Sequence, residues 1–259
     1  MVKNIDLTAV NLDVGIMGLI LKDLSLRIAE NVIFESLDLQ LNPKEIHVLL
    51  GPNGIGKSSL LKAVAGHADY KPSNGKIFVD DEDISQCAPE IRAQKGVFVA
   101  FQNPAEIEGL SVANFLRTTL KAYPKNPAHK WSATEFYKQL YVLLAQVGLP
   151  KEFTSRSVNC GFSGGEKKRF ELLQLLLFKP KFALLDELDS GLDVDAKRLV
   201  ASVIATLQQE GMSFLVISHD IEFIRSLKPT HLHVFKDRRL VSAEISTLNK
   251  IEAQGFCTL

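Results

Sequence analysis

Eight residues, Gly51-Pro52-Asn53-Gly54-Ile55-Gly56-Lys57-Ser58, fit the pattern G-x-x-x-x-G-K-[ST], and Ser59 follows them. An apolar run, Ile46 to Leu50, precedes them and reads as a buried strand. A helical pattern, Leu60 to Ala65, follows. That strand–loop–helix setting is what a phosphate-binding loop requires. Glycines let the backbone curl until its N–H groups face inward around phosphate oxygens. The following helix adds its positive N-terminal end. In such a loop Lys57 lies on the β- and γ-phosphates of ATP, and the Ser58 hydroxyl binds Mg²⁺. The strongest constraint on the fold is therefore an α/β sheet that presents this loop.

Two further stretches give the loop a chemistry. Phe182 to Leu185 is an apolar strand ending in Asp186-Glu187. A strand turning out to solvent often ends in a carboxylate. Downstream of a phosphate loop the pair has a specific use: Asp186 holds Mg²⁺ and Glu187 polarises the attacking water. Ser163-Gly164-Gly165-Glu166 opens the helical stretch Glu166 to Phe178, a second anion-binding N-terminus. Taken alone it is a plain serine N-cap. One nucleotide needs only one phosphate loop, so a second such end makes sense if it caps the γ-phosphate held by another copy.

Composition excludes several classes. The 259 residues suit one large domain, or a domain with a subdomain. Lys plus Arg and Asp plus Glu are 30 each, so the chain lacks the basic footprint of a nucleic-acid binder. Cys87, Cys160 and Cys257 form no C-x-x-C pair, which signals neither a disulfide framework nor a zinc site. Reduced thiols in a cytoplasmic protein are the expectation. No apolar run approaches the roughly 20 residues of a membrane span, so any membrane is reached through a partner.

Along the chain, residues 1–18 read as an N-terminal extension before a strand-rich segment. Leu24–Ile28, Val32–Phe34 and Leu37–Leu41 read as an antiparallel sheet laid beside the phosphate-loop strand Ile46–Leu50. Residues 103–165 are mostly helical in pattern, with Ser111–Tyr123 and Thr134–Val147 as helices, and read as an inserted helical subdomain. From Glu166 onward helices and strands alternate, which argues a parallel core sheet with helices on both faces.

These residues resemble the ABC-type ATPase family, a phosphate-loop fold with a mixed core sheet, an antiparallel β part and an inserted helical subdomain. Ser163 to Glu166 resembles its signature, with Glu166 where Gln is usual. The resemblance implies that Gln102 is the Q-loop glutamine that contacts Mg²⁺ and senses the γ-phosphate. It implies that Asp193, in Ser190-Gly191-Leu192-Asp193, belongs to the D-loop, and that His219 is the switch histidine on the γ-phosphate. Ile55 stands where a small residue is usual, and no aromatic near Arg27–Ala29 is placed to stack on adenine.

The stretches Ala100 to Gly109, Arg156 to Arg169, Leu188 to Ala196 and Leu248 to Phe256 resemble the SufC subfamily, ATPases of iron–sulfur cluster assembly. The resemblance spans residues 19–256 and implies SufB- and SufD-like scaffold partners and a transient ATP-dependent homodimer. The ATPase subunit of a transporter is the alternative. A regulatory pairing of Lys167, Lys168 or Arg169 with Glu187 in the free monomer is a further expectation.

Overall fold

The computed structural model describes residues 17–123 and 126–254. Most of the expected extension, the Pro124-Lys125 part of the expected loop, and Cys257 lie outside them. Strand β1 (Leu19–Ile28) pairs antiparallel with β2 (Asn31–Leu41). After the turn at Asn42 the chain enters β3 (Ile46–Leu50), then the phosphate loop, then helix α1 (Lys57–Ala65). β4 (Asn74–Val79) returns to pair with β1, and a short β5 (Glu82–Asp83) completes a sheet of order β2-β1-β4-β5.

Val32–Phe34 and Leu37–Leu41 are thus one bulged strand, with Ser36 at a φ of 48°. Ile46–Leu50 is not in that sheet. All five residues of β3 are buried, and burial on both faces belongs to a central strand of a parallel sheet.

Helix α2 (Pro89–Gln94) leads to β6 (Val97–Ala100). β7 (Ile107–Ser111) pairs with the later β8 (Ser157–Val158), a small ribbon in a stretch whose pattern read as helix. Between them lie α3 (Val112–Lys121) and α4 (Ala133–Gln146). Each has a serine N-cap: Ser111 accepts from the Asn114 N–H, and Ser132 forms a capping box with Glu135.

The second half runs α5 (Gly164–Phe178), β9 (Phe182–Asp186), α6 (Val194–Gln209), β10 (Ser213–Ile217) and α7 (Ile221–Leu227). The hairpin β11 (His231–Lys236) and β12 (Arg239–Ala243) follows, then α8 (Thr247–Gln254). The central sheet has the order β12-β11-β3-β10-β9-β6 and is parallel except for β12.

The central sheet divides the core. Val48, Leu50, Leu185 and Val216 join the cluster that holds the helices α3, α4 and α5. Leu49, Leu184, Leu215 and Ile217 join the cluster shared with α1 and the antiparallel sheet. The period of two along each strand sends neighbouring side chains to opposite layers.

One buried side chain ties α1 to the sheet edge. Arg92 donates Nη1 to the carbonyls of Ala63 and Val64, at 2.9 Å each, near the end of α1. Its Nη2 reaches the Ser85 carbonyl at 2.7 Å and its Nε the Cys87 carbonyl at 2.9 Å. Gly66 caps α1 at a φ of 82°, and a Cβ there would lie 2.9 Å from Arg92 Nε. Glycine therefore serves both the left-handed cap and the passage of the guanidinium.

Replacing Arg92 by Ala strands these carbonyls in the core. A stability loss of about 3 kcal/mol or more in urea denaturation is expected. Arg92→Lys recovers only part of it, because an ammonium lacks the planar five-donor fork.

Candidate functional site

The parallel strands deliver the candidate residues to one edge. β3 ends at the phosphate loop, β6 two residues before Gln102, β9 at Asp186 and β10 two residues before His219. Ligands of open α/β sheets bind at the C-terminal ends of the strands for this reason. A cleft of about 260 Å³ opens there, lined by Asn53, Gly54, Gly56, Lys57, Ser58, Ser59, Gln102 and Glu187.

The loop is shaped by packing from below. Gly56 has a φ of 113°, and a Cβ on it would lie 2.7 Å from Ile33 Cγ2. Ile55 packs on the antiparallel-sheet cluster, so its bulk faces protein. Pro52 and Asn53 complete the curl beside Gly51 and Gly54. Lys57 folds across the loop, its Nζ donating to the carbonyls of Gly51 and Pro52 at 2.8 Å each. Burial pushes its ammonium below its ordinary range, and the charges of Glu187 and Asp186 oppose that.

Asp186 is buried, which pushes its carboxyl above the usual carboxylate range. The Ser58 hydroxyl bonds to it and opposes the shift. Asp186 Oδ1 is buried with no protein hydrogen bond. An orphaned carboxylate oxygen beside a serine hydroxyl fits a hard cation such as Mg²⁺, which takes oxygen ligands.

Glu187 follows β9 with a φ of 52°, a left-handed conformation rare outside glycine. Its N–H donates to the Ile217 carbonyl at 3.0 Å, locking the turn onto β10. Its carboxylate meets two candidates at once. Gln102 Nε2 donates to Oε2 at 2.8 Å, and His219 Nε2 lies 3.6 Å from Oε1. Burial first, and then the Lys57 charge, push the His219 imidazole below its ordinary range.

The expected pairing of Glu187 with a basic residue of α5 is not what the structure holds. Lys167 Nζ bonds Glu106 Oε1 at 3.1 Å. Lys168 Nζ faces Glu171 Oε2 at 3.9 Å, and Arg169 Nη1 bonds the carbonyls of Val147 and Gly148 at 3.1 Å each. The left-handed turn at Glu187 carries its carboxylate toward Gln102 and His219 instead.

Ser163, Gly164, Gly165 and Glu166 do not line the cleft. Ser163 caps α5, with Glu166 N–H donating to its Oγ at 3.2 Å and Ser163 N–H donating to Glu166 Oε2 at 2.8 Å. Ideal Cβ atoms on Gly164 or Gly165 would meet nothing within 4 Å. The glutamate at this place has its own partner: Arg156 Nη1 donates to Glu166 Oε1 at 2.6 Å while its guanidinium lies 4.5 Å from the Phe162 ring centroid. Asp193 also caps a helix, accepting from the Ala196 N–H at 2.8 Å.

Sequence reasoning missed a supporting network under His219. Buried Asp189 accepts from Ser218 Oγ at 2.8 Å, and Ser218 Oγ accepts from the Asp220 N–H at 3.1 Å. Asp220 in turn pairs with Lys197 of α6. Asp189 lies between the Glu187 turn and Ser190, and the buried carboxylate there was the available signal.

With this geometry in place the comparisons are specific. A family model described as "ABC transporter" matches residues 34–190. The chain belongs to the ABC family: it is a phosphate-loop ATPase that binds and hydrolyses ATP. It is similar to SufC proteins within that family. A protein of Plasmodium falciparum called "Iron-sulfur cluster assembly protein SufC" is 38% identical over 88% of this chain and 66% of its own length. A "Probable ATP-dependent transporter ycf16" of Cyanidium caldarium is 40% identical over 92% of this chain and 94% of its own. Among solved structures, a dimeric ATP-binding cassette in a post-hydrolysis state with ADP and phosphate superposes with a TM-score of 0.75 at 20% identity, covering 88% of this chain and 98% of that one. Among the described residues no helix is long and apolar enough to cross a membrane.

Glu166→Ala removes both the reciprocal cap and the Arg156 partner. A stability loss of about 1–2 kcal/mol is expected in chemical denaturation. Nucleotide affinity of the isolated chain, measured by fluorescent-nucleotide titration, should not change, because the cap lies outside the cleft.

Proposed function

We propose that this chain is the ATPase subunit of an iron–sulfur cluster assembly machine, driven by ATP-dependent pairing of two copies. The observation that carries the pairing is the separation of two half-sites. Lys57, Ser58, Gln102 and Glu187 line one cleft, whereas the Ser163 cap stands open elsewhere on the same chain. Two copies related by a two-fold axis would each offer Ser163, Gly164 and Gly165 to the nucleotide of the other.

In this reading the loop from Gly51 to Ser59 binds the phosphates, and Lys57 leaves the Gly51 and Pro52 carbonyls to meet them. Ser58, Gln102 and Asp186 hold Mg²⁺. Bound there, the ion neutralises phosphate charge during transfer. Glu187 is the group that takes a proton from water. Gln102 and His219 position its carboxylate, and His219 faces the γ-phosphate. Asp193 of the D-loop borders the contact between copies. ATP favours the paired state only through its higher affinity for that state, so loss of the γ-phosphate lets the copies part.

The part of the helical subdomain near residues 103–125 is the proposed docking surface for SufB- and SufD-like scaffold subunits, in the cytoplasm. Support comes from the sequence segments similar to SufC and from the name of the Plasmodium relative. The rival reading, a transporter subunit, has the printed name of the Cyanidium relative in its favour. Purification from native cells without oxygen separates them. Co-purification of soluble scaffold subunits, with ATPase activity that rises in the complex, is expected. Recovery with an integral membrane protein instead would move the role to transport.

Glu187→Gln is expected to lower turnover by about 100-fold or more while leaving ATP binding intact. The same variant with ATP should sediment as a dimer, and adding Ser163→Arg should return it to monomer. Turnover at the native rate in Glu187→Gln would remove Glu187 from its role.

A further inference from the structure

The end of the central sheet away from the nucleotide cleft carries a second cluster. β3 and β11 run parallel with His231 opposite His47. His231 and His233 are two residues apart, so they share a face of β11 with His47 beside them. His47 and His231 ring centroids are 4.3 Å apart, and those of His47 and His233 are 4.9 Å apart. Glu45, in the turn before β3, points its carboxylate at His47, with Oε2 3.0 Å from Nε2. One ligand atom from each of Glu45, His47 and His231 lies within 4.8 Å of the others.

We propose that Glu45, His47 and His231 form a binding site for one divalent first-row transition-metal ion. Two imidazoles and one carboxylate are a donor set that zinc and non-haem iron(II) both accept. Calcium and magnesium prefer oxygen ligands, so the chemistry differs from that of the nucleotide cleft.

The hydrogen bonds around the cluster orient the donors. The Asn42 N–H donates to Glu45 Oε2 at 2.8 Å and Asn42 Nδ2 to Oε1 at 3.1 Å, which holds the carboxylate in place. The Thr230 hydroxyl oxygen lies 3.0 Å from the Ile46 carbonyl and 3.1 Å from His231 Nδ1. With the hydroxyl proton on the carbonyl, His231 Nδ1–H donates to Thr230 and Nε2 carries the lone pair.

His47 has the matching arrangement. Its Nδ1 lies 3.0 Å from Nε2 of buried His233. In the ion-free structure Nε2–H of His47 donates to the Glu45 carboxylate; an ion bound there would displace that proton and leave Nδ1–H to donate to His233. Metal-bound histidines characteristically donate their other N–H to such an outer partner.

Insertion of an ion requires the three ligand atoms, now within 4.8 Å of one another, to draw onto one centre. Two ligands about 2.1 Å from a tetrahedral centre stand about 3.4 Å apart. The Glu45–His47 contact of 3.0 Å needs to widen by only a few tenths of an ångström. His231 is exposed, which leaves a path from solvent.

The test uses the full chain without a histidine tag, stripped of metal by chelation and kept free of nucleotide. Titration with Co²⁺ should give one saturating equivalent with the visible absorption of a nitrogen- and oxygen-ligated ion. Zn²⁺, which a site of this kind holds more tightly, should displace it. His231→Gln and Glu45→Gln should each weaken binding by about 100-fold or more, beyond the loss of an outer partner alone. His231→Gln should keep native ATP turnover and native thermal stability without metal, which separates loss of the ligand from loss of the fold. Superimposable cobalt titrations of the native chain and His231→Gln would overturn the site. So would binding that Asp186→Asn abolishes, since the ion would then be in the nucleotide cleft.

Discussion

The parallel pairing of β3, β10, β9 and β6 is the constraint on which the site depends. Each strand runs the same way, so each ends on the same edge. Gly51, Gln102, the Asp186-Glu187 pair and His219 are far apart in the chain, yet each follows the end of one of these strands. Slipping one strand by a residue would move its buried side chains to the other face, which both core clusters resist. Burial of the sheet on both faces therefore also sets the position of the catalytic edge.

That edge is held under tension. Glu187 adopts a left-handed backbone, Asp186 keeps a buried oxygen without a protein partner, and Lys57 is desolvated over the loop carbonyls. Each feature lowers stability, and each makes sense where charged phosphates and a cation complete the hydrogen bonds. Strain and unsatisfied groups gather at such places because the surrounding sheet over-determines them. The Asp189–Ser218 contact and the Asp220–Lys197 pair are part of that surrounding support.

Much of this was legible in the chain. The phosphate loop, the carboxylate-ended strand and the serine-capped glycine pair are local patterns, and local patterns carry their own geometry. Helix ends followed at Gly66 and Ser163, which act within a few residues of themselves. The union of Val32–Phe34 and Leu37–Leu41 in one bulged strand was not legible, since Glu35 and Ser36 interrupt the apolar run. Neither was the small ribbon of Ile107–Ser111 with Ser157–Val158, whose partners are distant in sequence.

Residue types and spacing were thus enough to define a phosphate loop, a strand that ends in paired carboxylates, and the family. Partner choice among charges was not, because it depends on which side chains the folded backbone aims at one another. Lys167 turned to Glu106, Glu187 to Gln102 and His219, and Glu166 to Arg156. The meeting of Glu45, His47 and His231 is of the same kind. Glu45 and His47 are neighbours in the chain, but His231 arrives only through the parallel register of β11 on β3. Coulombic and hydrogen-bond contacts act over a few ångströms, and only the packed fold brings such distant residues within that range.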